Sequence, residues 1–173
     1  RDTIRKQTIT FPKKQMKKIL ILTMLLLLQF FAFAQKEEKN YHHNGKLRQI
    51  GLYDNNNQQS GEWKLYHENG KLEQIGKYTN GLEVGEWKLY YENGKPSSIE
   101  WYSDGKLIGK TIIYNEDGSI QIIGNYQDGK KTGEWKRYHE NGKLATIGKY
   151  DNDEQTGEWK DYFPNGILNE IGN

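Results

Sequence analysis

The sequence predicts an all-β chain, an elongated antiparallel meander of β-hairpins built from about five and a half units of 24 residues, behind an N-terminal signal peptide. Three observations predict it. Gly61, Gly85, Gly109, Gly133 and Gly157 recur at intervals of 24 residues, and a fixed period in this range marks a stacked-repeat architecture. Each unit carries two turn signals. One is "ENGK" or a variant of it, at 68–71, 92–95, 116–119, 140–143 and 164–167; the other is of the type "TNG" at 79–81, "SDG" at 103–105 or "QDG" at 127–129. The segments between the turns are rich in Trp, Tyr, Ile and Leu, which suit half-buried strands.

The chain opens on Arg1 and runs through polar and basic residues to Met16, so residues 1–15 read as upstream translation. Residues 16–34 have the pattern of a signal peptide. Lys17 and Lys18 precede an apolar run from Ile19 to Ala34, with the small residues Ala32 and Ala34 before Gln35, and cleavage is expected after Ala34. A single membrane anchor is the competing reading, but this run has 16 residues, with Thr23 and Gln29 inside it, against the roughly 20 that span a bilayer. The expected product is exported to the periplasm, cell envelope or exterior. Residues 1–34 hold seven of the 25 Lys and Arg and one of the 23 acids, which leaves 18 bases against 22 acids, a net charge of −4, from Gln35 onward. That balance leaves no basic stripe for nucleic acid. The chain has no Cys, which excludes a lipid-modified cysteine at the cleavage site, a disulfide framework and thiolate chemistry.

Residues 35–60 form a linker and a divergent first repeat, with one extra residue in its "DNNNQQS" loop, and residues 61–173 form the repeat domain proper. Asn-Gly in "ENGK" accepts the positive φ of a type I′ hairpin turn, so each unit reads as a first strand of the type "EWKLYH" and a second of the type "KLEQIGKY". Eleven or so strands at ~4.8 Å give a sheet of about 50 Å in which each hairpin touches its neighbours. Stability then comes from ladders. The first strands align Trp63, Trp87, Trp135 and Trp159 in one column and Tyr66, Tyr90, Tyr114, Tyr138 and Tyr162 in another. The second strands align a Leu72 column, an Ile75 column and a Tyr78 column. A glycine bulge at Gly76, Gly124 and Gly148 is expected to bring Ile75 and Tyr78 to one face, against strict alternation.

The unit Gly-Glu-Trp-Lys-x-Tyr-x-x-Asn-Gly-Lys-Leu, followed by Ile-Gly-x-Tyr-x-x-Gly, resembles the MORN-repeat variant across residues 41–173. That variant occurs in bacterial proteins labelled YwqK-type antitoxin components of toxin–antitoxin systems. The resemblance implies open β-meanders that mediate protein contacts, and sometimes membrane or lipid contacts, without a catalytic motif. A cytoplasmic neutraliser needs no export signal, which sets this chain apart from the antitoxin pattern.

No cofactor, metal or catalytic residue is expected. His42, His67 and His139 share one repeat position at the hairpin tips, too far apart to hold one metal, and read as exposed turn residues. Glu62, Glu86, Glu134 and Glu158 are each matched by a lysine two residues on, which reads as a solvated charge ladder rather than a pair of catalytic carboxylates. Ser and Thr lack a positioned His-Asp set. Residues 96–124 break the pattern: Pro96 replaces Leu, Trp101 takes a slot held elsewhere by Lys77, Lys149 or Asn125, Thr111 replaces Trp, and Ile112, Ile113 and Ile122 stand where Lys and polar residues are commoner. Trp101, Ile112, Ile113 and Ile122 are the candidate partner-binding residues if they face outward; compensation for the lost tryptophan is the alternative. The expected function is an exported, non-enzymatic protein-binding or scaffold module. A protein partner is expected, with no nucleic acid and no small molecule, and membrane association is not predicted. An antitoxin that binds a toxin is the alternative. Glycan binding through the tryptophan ladder is a lesser one, which requires exposed indoles.

Overall fold

The computed structural model describes residues 36–172, together with Lys17 and Lys18. The upstream stretch 1–15 and the rest of the leader at 16–34 lie outside the described residues. The repeat region is one antiparallel sheet of 13 strands in sequence order. The strands are β1 (Lys36–Tyr41), β2 (Leu47–Tyr53), β3 (Gln59–Tyr66), β4 (Leu72–Thr79), β5 (Leu82–Tyr90), β6 (Pro96–Ser103), β7 (Lys106–Leu107), β8 (Gly109–Tyr114), β9 (Ile120–Gln127), β10 (Lys130–Tyr138), β11 (Leu144–Asp151), β12 (Glu154–Tyr162) and β13 (Leu168–Gly172). The short β7 pairs with β6 beside β8.

The two turn signals do different jobs, and the type I′ assignment belongs to the second of them. At "ENGK" the amide of Gly70 bonds to His67 O and that of His67 to Lys71 O, with Gly70 at φ 90° and Asn69 absent from the positive-φ residues. This is a type I turn closed by a left-handed glycine, the three-residue hairpin loop. Asn80 and Gly81 of "TNG" both take positive φ, 51° and 76°, which is the I′ signature. Asn69 is chosen for hydrogen bonding: its Oδ1 accepts from Lys71 N at 2.8 Å and its Nδ2 donates to Glu92 O of the next tip at 2.8 Å.

The bulge also sits elsewhere than expected. Tyr66 pairs with Leu72 and Leu65 with Gln74, so Glu73 is the extra residue, and Leu72 and Ile75 share a face. From Ile75 to Tyr78 the strand simply alternates and the two side chains take opposite faces. The second irregularity lies on the following strand: Ile75 pairs with Lys88 and Lys77 with Val84, so Gly76 alone opposes Gly85, Glu86 and Trp87. Gly85, at φ 71°, absorbs that excess as only glycine does readily.

This register gives the sheet two unlike faces. On the indole face, rings alternate along the array: Tyr53, Trp63, Tyr78, Trp87 and Tyr102 make consecutive edge-to-face contacts with centroids 5.0–6.1 Å apart. Tyr126, Trp135, Tyr150 and Trp159 repeat the pattern at 5.0–5.7 Å. Such pairs contribute about 0.5–1.5 kcal/mol each beyond area burial. The tryptophans therefore stack with the Tyr78 column. The Tyr66 column lies on the opposite face, where Tyr90 lines the same depression as Ile75, Glu86 and Lys88. Gly51, Gly76, Gly124 and Gly148 let each indole lie flat on the backbone, because a methyl at any of them would fall inside the ring of Trp63, Trp87, Trp135 or Trp159. Buried apolar side chains are few, with Trp63 and Trp87 at 1% exposure.

Candidate functional site

On the other face the ordinary unit pairs a glutamate with a lysine two residues on. Glu62–Lys64, Glu86–Lys88, Glu134–Lys136 and Glu158–Lys160 close at 2.7–2.8 Å, as the expected charge ladder. These exposed pairs contribute little to stability. At the tips, His42, His67 and His139 are not simple exposed turn residues. They are half-buried, and the Nε2 of each lies 2.6–2.8 Å from the carbonyl of Tyr66, Tyr90 or Tyr162 in the next unit. Lys46, Lys71 and Lys143 add Nζ bonds to the next tip's Asn69, Asn93 or Asn165 carbonyl.

The unit spanning β6 to β9 breaks every one of these ladders while keeping the backbone register. Ser98↔Ile113 and Ile99↔Ile112 pair as Gln74↔Leu89 and Ile75↔Lys88 do one repeat earlier. On the indole face Thr111 replaces tryptophan, and the glycine that would cradle it is Glu100. Its carboxylate accepts from Ser98 Oγ at 3.1 Å and Tyr102 OH at 2.8 Å, and Ser98 and Thr111 are buried. The exchange of Gly and Trp for Glu and Thr is a packing compensation within the sheet. The signal for it was in the sequence, since Glu100 stands in register with Gly51, Gly76, Gly124 and Gly148. The tip ladder stops in the same unit: Asp117 accepts from Ser119 N and Oγ and, having no amide, has nothing to donate to the tip at His139.

The four candidate partner-binding residues do not form one patch. Trp101 pairs with Glu86 and Ile112 with both Ile99 and Ile123, which places Trp101 and Ile112 on the ion-pair face. Ile113 and Ile122 pair with one another, and with Ser98 and Arg137, on the indole face. Strict alternation of neighbouring residues is the reason. Trp101 is 42% exposed, against 7% or less for Trp63, Trp87 and Trp135. On the same face Ile99, two residues before Trp101 on β6, forms an aliphatic row over three strands with Ile112 and Ile123, where the neighbouring units interpose Lys88 and Lys136. The sequence reading missed Lys110, which stands where the repeat has glutamate and has no carboxylate within ion-pair distance among the described residues. The period through Glu62, Glu86, Glu134 and Glu158 marks the position.

A second depression, about 490 Å³ on the indole face, is lined by Trp135, Tyr150 and Trp159. Most of the charged side chains that line it are engaged, Glu170 being the exception among the described residues. Arg137 donates to Thr146 Oγ1, which donates to Asp161 Oδ1, and Lys131 Nζ lies 4.9 Å and 5.0 Å from the Trp135 and Tyr150 rings. Among the described residues no three His, Cys, Asp or Glu side chains are placed to hold a metal.

The unit's length, two-turn rhythm and alternating indole ladder match a known repeat. The MORN repeat variant family matches six segments, residues 35–55, 59–80, 83–100, 107–128, 131–152 and 155–173. The chain belongs to the MORN repeat variant family. No curated protein matches it. The segment boundaries of these MORN repeats fall near the I′ turns, and the match at 83–100 stops just before Trp101, where the side chains depart from the repeat. The glycan reading required exposed tryptophans in the ladder, and burial of Trp63, Trp87 and Trp135 removes that requirement's basis.

The tyrosines of the indole ladder have a pH signature. Burial raises the pKa of Tyr78, Tyr102 and Tyr126 above the ordinary 10; near Tyr102 the hydrogen bond to Glu100 adds to it, near Tyr78 the Glu83 carboxylate does, and near Tyr126 the charge of Glu100 does. The folded chain therefore keeps protons that the unfolded chain loses above pH 10, so stability is fully present below pH 10 and falls as pH rises beyond it. Thermal melts between pH 9 and pH 11 should show a falling midpoint, and Glu100→Gln should lower the pH at which Tyr102 ionises in the 295 nm absorbance titration.

Proposed function

We propose that this MORN-repeat chain is an exported, non-enzymatic binding module of a bacterial cell envelope, holding a protein partner on the ion-pair face of its fourth unit. The observation that carries the reading is Trp101, exposed at a position that sister units fill with Lys77, Asn125 or Lys149, beside the aliphatic row of Ile99, Ile112 and Ile123. A half-exposed indole next to apolar neighbours is the residue type that dominates interface energetics. On the opposite face the Glu100 carboxylate is satisfied within the sheet by Ser98 and Tyr102; on this face Trp101 stays 42% exposed. The export part of the reading rests on the sequence pattern of residues 16–34.

The test uses substitutions that restore the repeat. Trp101→Lys and Ile112→Lys install the residue that sister units carry on the same backbone, so folding is expected to be kept. Affinity capture from the host envelope, read by quantitative mass spectrometry, should lose its specific partner with either variant, by about tenfold or more for Trp101→Lys, as for a hot-spot tryptophan. Unchanged capture with both variants would refute the site. Intact-mass measurement of each cell fraction tests the compartment. A species beginning at Gln35 outside the cytoplasm supports export, whereas an uncleaved cytosolic species would move the antitoxin reading to first place.

A further inference from the structure

Among the described residues the ion-pair face carries a closed Glu–Lys pair in the units on either side of the fourth, and none in the fourth. Lys64, Lys88, Lys136 and Lys160 each hold the glutamate two residues before them at 2.7–2.8 Å. In the fourth unit the same two positions are Lys110 and Ile112. The glutamate has become a cation, and the lysine that would have neutralised it has become apolar. Glu86, directly across from Trp101, is committed to Lys88; Asn125, directly across from Lys110, is uncharged. Among the described residues Lys110 is thus an uncommitted ammonium beside the aliphatic row of Ile99, Ile112 and Ile123.

From this we infer that the partner segment carries a carboxylate. This rests on the protein-binding reading of the face and adds the sign and place of the partner's charge. The segment lays apolar side chains on Ile99, Ile112, Ile123 and Trp101, and sets an aspartate or glutamate on Lys110. Ile112 and Lys110 are two residues apart on β8, about 6.8 Å, and the isoleucines step across strands at about 4.8 Å. One short segment therefore reaches both. The charge requirement follows from desolvation, because covering Lys110 with an apolar or cationic surface strips its hydration with no return, whereas a carboxylate replaces it. The flanking Glu–Lys pairs, already closed, offer no comparable selection.

The probe is a displayed library of random twelve-residue peptides, selected on the full repeat domain and depleted on its Trp101→Lys variant. Recovered peptides should be enriched in Asp or Glu next to apolar residues. Their affinity should fall about tenfold or more with Lys110→Glu, stay within about threefold with Lys110→Arg, and weaken with added salt. Replacing the peptide's acid by its amide should reproduce the Lys110→Glu loss in the wild-type protein. Peptides that depend on Trp101 but lack acids, and bind the Lys110→Glu protein equally well, would overturn the carboxylate inference and leave the face intact. A library emptied by depletion on the Trp101→Lys variant would overturn the face itself, and this inference with it.

Discussion

Gly76→Ala is expected to destabilise the repeat domain by about 3 kcal/mol or more, the upper range for forced overpacking in a core, although the change adds one methyl group and leaves an ordinary extended φ. The indole of Trp87 lies on the Gly76 backbone where that methyl would be. Trp87 is 1% exposed, and it is held edge-on by Tyr78 and Tyr102, so it cannot slide aside without breaking two ring contacts. Gly172→Ala is the internal control: it is the corresponding glycine of β13, nothing lies within 4 Å of the added atom, and its φ is unexceptional. Urea unfolding followed by tryptophan fluorescence should show a large loss for the first variant and a change within about 0.5 kcal/mol for the second. Equal effects would refute the cradle.

Thr111→Trp alone is expected to cost about 2 kcal/mol through overpacking against Glu100, while Thr111→Trp with Glu100→Gly should recover that loss and exceed the wild type. The double variant rebuilds the cradle seen at Trp87 on Gly76, and it supplies the missing ring between Tyr102 and Tyr126, joining the two aromatic runs. A double-mutant cycle should give a coupling of about 2 kcal/mol or more, at the high end for residues in contact. Additive effects would show that the fourth unit packs independently of this pair. Because nearest-neighbour contacts set cooperativity in repeat arrays, the rejoined ladder should also sharpen the unfolding transition, which the denaturant slope measures.

Much of this was legible in the residues. The 24-residue spacing of Gly61 through Gly157 gave the repeat, the paired turns gave the hairpins, and Glu62–Lys64 and its sister pairs were placed as they stand. What failed was any inference that needed the register. "ENGK" and "TNG" both contain a glycine after a small polar residue, and only the φ of Asn69 and Asn80 separates a type I turn with a left-handed glycine from a I′ turn. The three-residue spacings Leu72–Ile75 and Ile75–Tyr78 look alike in sequence, yet Glu73 bulges in the first and nothing bulges in the second.

The same blindness joined Trp101 and Ile112 to Ile113 and Ile122. Adjacent strand residues always diverge, but which of them joins which face depends on how each irregularity is absorbed along the preceding strands. Sequence by itself determined the period, the strand-and-turn rhythm, the absence of thiol chemistry and the unit where the pattern breaks, because these follow from residue type and spacing along one chain. Tertiary structure decided which columns share a face, that the indoles are buried on glycine, and that Trp101 and Lys110 stand uncovered together. Those depend on cross-strand pairing, where a shift of one residue moves a side chain to the other side of the sheet.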